Sequence, residues 1–448
     1  MRSVRLWNSL GNQLEEFKPI VAGKVSIYVC GPTVYSSPHI GNFRPVIVFD
    51  VLRRLFIALG YEVTFVSNYT DVDDKIIARA KELKISEKEL TESVIREFSS
   101  LVDAVGSLQP DVKPRPTVYM PQMIRYIDDL IAKGAAYAVD GEVYFRISSI
   151  AGYGELSGNT PEQLLSGARI EVNSKKESPI DFALWKKTND GIRWAAPWSE
   201  GRPGWHTECC VMINSIFREQ GGLIDIHGGG FDLKFPHHEN EMAQAKAHNG
   251  NKLAHYWLHN GFINTNNEKM SKSLGNVLLA KDAVADYGGL AFRLMVLNAH
   301  YRAPVSFSEE TIKEAQTNLA KLQAIYRQLA VQLQIHGVDV ASLKGEGEDG
   351  FLDAVSDDLN TPNALSVLYE EVKSANQLLR GAQLDLKAIG LSFARLRDYF
   401  FVLGLGLQYP NLAKEDVELY SAYVGYKKAK DFQKSDELRG CLIEKGIL

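Results

Sequence analysis

Val25-Ser26-Ile27-Tyr28-Val29-Cys30-Gly31-Pro32 opens the stretch that decides the fold, which runs on through Pro38-His39-Ile40-Gly41-Asn42 to Glu62-Val63-Thr64-Phe65-Val66-Ser67. The β-branched and aromatic residues before Cys30 predict a strand, and Gly31-Pro32 closes it. From Arg44 to Leu59, apolar Val48, Leu52, Leu55, Phe56 and Leu59 recur at helical spacing, with Gly60 as the stop. Glu62 to Ser67 reads as a second strand. Strand, helix and strand in this order form a βαβ unit, which requires a parallel sheet and places a ligand crevice at the strand C-termini. Cys30 and His39 fall at the edge of that crevice.

The whole 448-residue chain is too long for one core and predicts between about two and five compact units. Its 45% hydrophobic and 23% charged content excludes a disordered, collagen-like or disulfide-scaffold protein. The N-terminal residues lack the apolar core of a signal peptide, and no stretch reaches the ~18 apolar residues that span a bilayer, so a cytoplasmic protein without a membrane partner is expected. Four cysteines, Cys30, Cys209, Cys210 and Cys441, fit a reducing compartment and leave metal binding or nucleophilic attack as their chemistry. A net charge of -5 argues against a surface that attracts nucleic acid everywhere, so an RNA partner must meet local basic patches such as Lys175-Lys176, Lys186-Lys187 and Lys427-Lys428-Ala429-Lys430.

Residues 119–199 read as an insertion, with a helix over 123–133 and a strand over 142–147, followed by Gly- and Ser-rich sequence. Seven of the ten histidines then crowd between Trp205 and Gly261, where a strand is predicted over 223–226 and His227-Gly228-Gly229-Gly230 reads as turn-rich. Beyond Ser308 the pattern is helical. Ser306 with Glu309 predicts a capping box, and Thr361 before Pro362 predicts a helix start with Thr361 as cap.

His39 and Asn42 fall at the predicted N-terminus of the crossover helix, where free N–H groups and the helix dipole favour an anion. There, His39 can donate to a phosphate, Asn42 can donate an amide N–H beside it, and Gly41 leaves room for a nucleotide. Lys269-Met270-Ser271-Lys272-Ser273 supplies two mobile cations in a loop flanked by Asn266-Asn267 and Gly275-Asn276, suited to β- and γ-phosphates and departing pyrophosphate. These two motifs resemble the HIGH and KMSKS motifs of the class I aminoacyl-tRNA synthetases. The resemblance implies ATP-dependent adenylation of an amino acid, with Mg²⁺, and transfer to the 3′-terminal adenosine of tRNA. One position departs: Asn42 stands where the motif has its second His, and it keeps a donor.

His237 and Glu241 are four residues apart on one predicted helix face, so imidazole and carboxylate can converge on one ion. Cys30 and Cys209 can meet them at the sheet edge, and His238, Glu239 and Cys210 are alternative donors. Three stretches resemble the cysteinyl-tRNA synthetases: Cys30-Gly31-Pro32-Thr33-Val34-Tyr35, Gly204-Trp205-His206-Thr207-Glu208-Cys209, and His227-Gly228-Gly229-Gly230-Phe231-Asp232 through Glu241. That resemblance implies one zinc per chain held by Cys30, Cys209, His237 and Glu241, with L-cysteine, ATP and tRNA(Cys) as partners and a monomeric chain. It further assigns Gly229 and Asp232 to ATP binding with His39, Gly41, Asn42, Lys269 and Lys272, and Thr70, Trp205 and Asp232 to the amino-acid pocket. Core packing for Trp205 and turn capping for Asp232 are the competing readings. His206, His227 and His238 are expected to support the ligands.

Zinc would explain selectivity. A pocket judging size and polarity separates cysteine from serine only ~10 to 200-fold, whereas a soft thiolate can join the metal and an alcohol does so poorly. No editing domain is then needed, in keeping with the short insertion.

The expected fold class is α/β: a Rossmann-like parallel-sheet catalytic domain (1–118 and 200–262) with an inserted connective subdomain (119–199), a KMSKS-loop and stem-contact region (263–308), a C-terminal α-helical bundle for tRNA (309–400), and a small anticodon-end module (401–448). Two rival readings are a ligase that passes cysteine to a small aminosugar and a catalytically silent RNA-binding paralogue. Against the first, Asp357-Asp358-Leu359-Asn360-Thr361-Pro362 and Lys430-Asp431-Phe432-Gln433-Lys434-Ser435-Asp436 resemble the helical and anticodon-end segments of the tRNA enzymes. Against the second stand the intact lysines and ligand set.

Overall fold

Lys24–Val29 and Glu62–Ser67 are neighbouring parallel strands, Lys24 opposite Glu62 and Val29 opposite Ser67. The helix between them, Phe43–Ala58, is entered through a tight turn at Ile40–Asn42 and is followed by Gly60 at φ 86°, a conformation that glycine adopts without strain. This is a computed structural model, and it describes residues 2–167, 175–265, 268–269, 277–345, 350–381 and 383–448. Two more parallel strands complete the sheet in the order Ala254–Asn260, Ile224–Gly230, Lys24–Val29, Glu62–Ser67. Connection order reverses between the two central strands, so the crevice opens where Val29 pairs with Gly228.

The glycine run was expected to be a turn. Instead, His227 to Gly230 continue the strand: all four pair with Ala254–Asn260, and His227 and Gly228 also pair with Lys24–Val29 on the other side. At Gly228 a Cβ would run into the Phe49 ring, so the missing side chain lets the crossover helix pack directly on the sheet.

The insertion holds a helix, Met120–Ala132, that starts three residues before the predicted one. Beside it lies an antiparallel sheet in the order Ala136–Val139, Glu142–Phe145, Phe182–Lys187, Glu200–Pro203, Trp194–Ala195. Glu200–Pro203 belongs to this sheet although it lies past Ser199. Its strand leads straight into helix Trp205–Ile216.

Beyond Val305–Phe307 the described chain is helical: Glu309–Ile335, Gly350–Ser356, Thr361–Arg380, Leu386–Leu403, Lys414–Lys428 and Phe432–Glu444. The first helix is capped by Ser308, whose hydroxyl accepts from Thr311 N–H, and not by the Ser306–Glu309 pair, because Ser306 is still in a strand. Asn360, and not Thr361, caps the helix beginning at Thr361. The Thr361 hydroxyl instead donates to the Leu297 carbonyl at 2.7 Å. Leu386–Leu403 runs through position 400, and the last two helices pack around Tyr423, Leu442 and Ile447 with Val331.

Three buried polar hubs fix the crossover helix and the bundle. Asp50 accepts from Arg54 at 2.8 Å, Arg293 at 2.6 Å and Leu108 N–H at 2.8 Å, while Arg293 also donates to the Leu403 carbonyl. Arg44 donates to the carbonyls of Phe262, Tyr301 and Ala303 at the far end of the sheet, and burial lowers its pKa to about 10. Asp358 accepts from Trp7 N–H, Tyr301 and Arg302, tying the N-terminal hairpin to the bundle. Such charges are tolerable in the interior because each is paired several times. Among the described residues, no helix is long and apolar enough to cross a membrane.

Candidate active site

Cys30 follows the last residue of strand Lys24–Val29, so the sheet delivers its sulfur to the crevice. Gly31 N–H donates to Asn68 Oδ1 at 2.9 Å, and a Cβ at Gly31 would overlap the Asn68 carbonyl, which makes glycine obligatory beside this thiol. Cys209 comes from helix Trp205–Ile216, and its sulfur lies 3.8 Å from that of Cys30. His237 sits in the wide helical turn Lys234–His238, where Phe235 alone is non-helical, and this turn runs directly into helix Glu239–Asn249 carrying Glu241, so the predicted i, i+4 contact is made. His237 Nε2 is 3.0 Å from Glu241 Oε1.

One ligand atom from each of Cys30, Cys209, His237 and Glu241 lies within 4.8 Å of all the others. Cys30, His227, His238 and Glu241 form an overlapping group by the same measure. Two thiolates, an imidazole and a carboxylate suit tetrahedral zinc, and the two-cysteine set offers the softer donors. Glu241 Oε1 is buried, and its one polar neighbour is His237 Nε2 at 3.0 Å, itself a member of the cluster, so the oxygen keeps acceptor capacity for an ion. On both counts these residues fit a zinc ion.

The surrounding histidines hold these groups in place. His227 Nε2 bonds Glu241 Oε2 at 2.7 Å, while its Nδ1 lies 3.2 Å from the Tyr28 carbonyl. His206 and His237 share a hydrogen bond between Nδ1 atoms at 3.0 Å. His238 Nε2 is 3.4 Å from the Cys30 sulfur, and its Nδ1 meets His259 Nε2 at 2.9 Å. His259 Nδ1 in turn reaches Ser9 Oγ at 2.8 Å. His206, His227 and His238 were anticipated as supports; His259, Ser9 and Asn68 were not. His259 carried a signal only through the sheet, where it pairs with Gly229.

Electrostatics follow from burial without a metal. Desolvation lowers His206 and His259 to about 3 and pushes His238 well below its usual value. Burial also opposes charge on His237, but Glu241 and Cys209 outweigh it and raise His237 to about 10. Glu241 is desolvated too, yet His237 and His227 hold it well below the carboxylate range. The hydrogen bond from Cys30 lowers Cys209 to about 7 against the cost of burial, while burial and Cys209 push Cys30 up.

A cavity of about 780 Å³ adjoins this cluster. Cys30, His39, Gly41, Asn42, Trp205 and Asp232 all line it. Cys209, His237 and Glu241 are buried behind its wall. Trp205 is 39% exposed and stacks on His237 with ring centroids 4.1 Å apart, so it is cavity wall and not core packing. Asp232 lies inside the turn Phe231–Leu233, which Gly230 caps, so the capping reading fails. Thr70 is buried away from the wall, where its hydroxyl accepts from Asn68 Nδ2 at 3.1 Å and its N–H holds the Pro32 carbonyl. A Cβ on Gly229 would press on Leu233 and His238 at 2.8 and 3.1 Å.

At the start of the crossover helix, Asn42 Oδ1 accepts from His39 N–H at 2.9 Å. This fixes the amide so that Nδ2 remains the donor. An imidazole Nδ1 can accept the same bond, which accounts for Asn standing in place of His. Lys269 pairs through its backbone with Asn264 in a short strand, and Lys272 lies outside the described residues.

Residues 16–317 match the family described as tRNA synthetases class I (C) catalytic domain, and residues 350–408 match the DALR domain. A cysteine–tRNA ligase of Shouchella clausii is 44% identical over 99% of this chain and 97% of its own length. One from Acholeplasma laidlawii is 42% identical over 99% of this chain and its entire length. Among solved structures, a Mycobacterium tuberculosis methionyl-tRNA synthetase bound by methionyl-adenylate shares the fold, with a TM-score of 0.63 at 15% identity over 88% of this chain and 93% of that one. With a class I catalytic match over most of its length and relatives of this identity end to end, the chain belongs to the cysteine–tRNA ligase family of class I aminoacyl-tRNA synthetases.

Proposed function

We propose that this protein activates L-cysteine with ATP and Mg²⁺ as cysteinyl-adenylate and transfers it to the 3′-terminal adenosine of tRNA(Cys). The observation that carries the reading is the convergence of Cys30, Cys209, His237 and Glu241 on one point, with Cys30 on the wall of a cavity shared with His39 and Asn42. Zinc held by the four ligands would take the substrate thiol as a thiolate, a preference that serine cannot match. Trp205 keeps His237 in orientation and walls the amino-acid end. Asp232 faces the cavity as the anionic partner for the substrate ammonium or a ribose hydroxyl, and Thr70 holds the Pro32 loop through its backbone.

His39 and the Asn42 amide donate to the α-phosphate as charge develops in the in-line attack, Gly41 and Gly229 leave space for the nucleotide, and Lys269 and Lys272 neutralise the departing pyrophosphate. The DALR match and the end-to-end coverage by cysteine–tRNA ligases favour tRNA over an aminosugar as acceptor. A monomer suffices, since every proposed group comes from one chain.

Cysteine-dependent ATP–pyrophosphate exchange, run beside serine before and after zinc removal, and charging of tRNA(Cys) test this reading. Exchange with cysteine that falls on zinc removal and returns with zinc is expected. Equal exchange with serine would remove the metal's role in selection, and exchange without charging of any tRNA would restore the aminosugar alternative.

A further inference from the structure

The two thiols of the cluster differ in access. Cys30 is half-buried on the cavity wall, whereas Cys209 is 2% exposed directly behind it, sulfur to sulfur at 3.8 Å. Cys210 is turned away, its sulfur lying 3.4 Å from the Glu241 carbonyl and 3.7 Å from that of His206. His238 braces the Cys30 sulfur at 3.4 Å, on a chain of contacts through His259 to Ser9. An accessible sulfur with a second one in contact behind it is the arrangement by which dithiols reduce disulfides: the first attacks and the second resolves.

Resting on the reading that this cavity receives cysteine, we propose that Cys30 and Cys209 also react with cystine, the disulfide of that amino acid, so that the site switches off when its substrate is oxidised. The Cys30 sulfur attacks one sulfur of cystine, the cystine S–S bond breaks, and one cysteine leaves with the bonding electron pair. Cys209 then attacks the Cys30 sulfur of the mixed disulfide, forming the Cys30–Cys209 bond and expelling the second cysteine. Two electrons pass from the protein to cystine, and every atom is accounted for. In the zinc-loaded protein both thiolates are consumed, so the metal loses two of its four ligands and is released. The cavity must hold a nucleotide as well as an amino acid in adenylation, so both halves of cystine fit when ATP is absent.

The test uses the full-length, zinc-loaded protein under anaerobic conditions with cystine. Expected are two cysteines and one zinc released per chain, a mass lower by two hydrogens, and a peptide map linking Cys30 to Cys209, all reversed by dithiothreitol with zinc. Cys209→Ala should stop at a cysteinyl adduct on Cys30, and Cys210→Ala should behave as the parent. Glutathione disulfide, too bulky for the amino-acid end, should react about tenfold more slowly, because access sets the exchange rate. Adducts confined to Cys441, or retention of zinc and both thiols, would overturn the inference while leaving cysteine-dependent pyrophosphate exchange by the same preparation intact. Absence of that exchange in the reduced, untreated protein would instead overturn the functional reading on which it rests.

Discussion

Trp205 lays its indole on the imidazole of His237, with ring centroids 4.1 Å apart and planes 22° from parallel. Both rings are held from behind, since His206 bonds His237 and packs against Trp205. Removing the indole frees the imidazole to turn. Trp205→Ala is expected to weaken zinc binding about 10- to 100-fold, the usual cost of losing a ligand's support, as read by competition with a chromophoric chelator. Trp205→Phe should recover most of the loss.

Asn42 supplies an acceptor to His39 N–H and a donor to the cavity, and alanine supplies neither. Asn42→Ala should lower kcat for pyrophosphate exchange by about 10²- to 10³-fold with a smaller effect on the KM for cysteine. Asn42→His should stay within a few-fold of the parent. Equal losses in both variants would mean that the amide acts through something other than these two bonds.

Asp50 is the common partner of Arg54 and Arg293, so its loss leaves two guanidinium groups buried without their carboxylate. Asp50→Ala is expected to cost about 3–5 kcal/mol in urea unfolding, because removing one member of a buried pair strands the other. Replacing Arg293 with Met as well should recover part of that cost, which a double-mutant cycle would show.

In the metal-free protein, His237 is raised to about 10 and Glu241 is held below its usual range. The His237 contribution to stability is complete below its unfolded value of about 6.5 and is lost as pH rises toward 10. The Glu241 contribution is present above its unfolded value of about 4.3 and is lost as pH falls through its lower folded value. Burial keeps His206, His238 and His259 neutral in the folded protein, so stability also falls as pH drops below their unfolded value of about 6.5, and urea midpoints of the stripped protein should peak near pH 6.5, falling toward acid and declining toward pH 10. Zinc should bind with release of about two to three protons at neutral pH, from His237, Cys30 and part of the Cys209 population, measurable by calorimetry in buffers of different ionisation enthalpy.

The parallel sheet and its crossover helix were legible because apolar periodicity and the Gly31-Pro32 and Gly60 stops all act locally. His227 to Gly230 misled for the opposite reason: glycine signals a turn to its neighbours in sequence, but strand Ala254–Asn260 pairs with the whole run here, joined by Lys24–Val29 at His227 and Gly228. Ser308 and Asn360 took the caps expected of Ser306 and Thr361, since Ser306 is committed to a strand and the Thr361 hydroxyl to Leu297. In the site, Cys30, Cys209, His237 and Glu241 were named from their type and from resemblance, and the fold brings their side chains together. His259 and Asn68 were missed because neither has a short-range pattern, only a cross-strand or loop contact. Trp205 and Asp232 left two readings open until stacking and turn position separated them.

The ligand cluster draws on positions 30, 209, 237 and 241, spread over nearly half of the chain. A ribosome must therefore deliver everything through Glu241, and the central strands must pair, before the four donors can meet. The proposed metal capture would then follow pairing of the central strands and report completion of the nucleotide fold, since a chain cut short of Glu241 would offer an incomplete donor set.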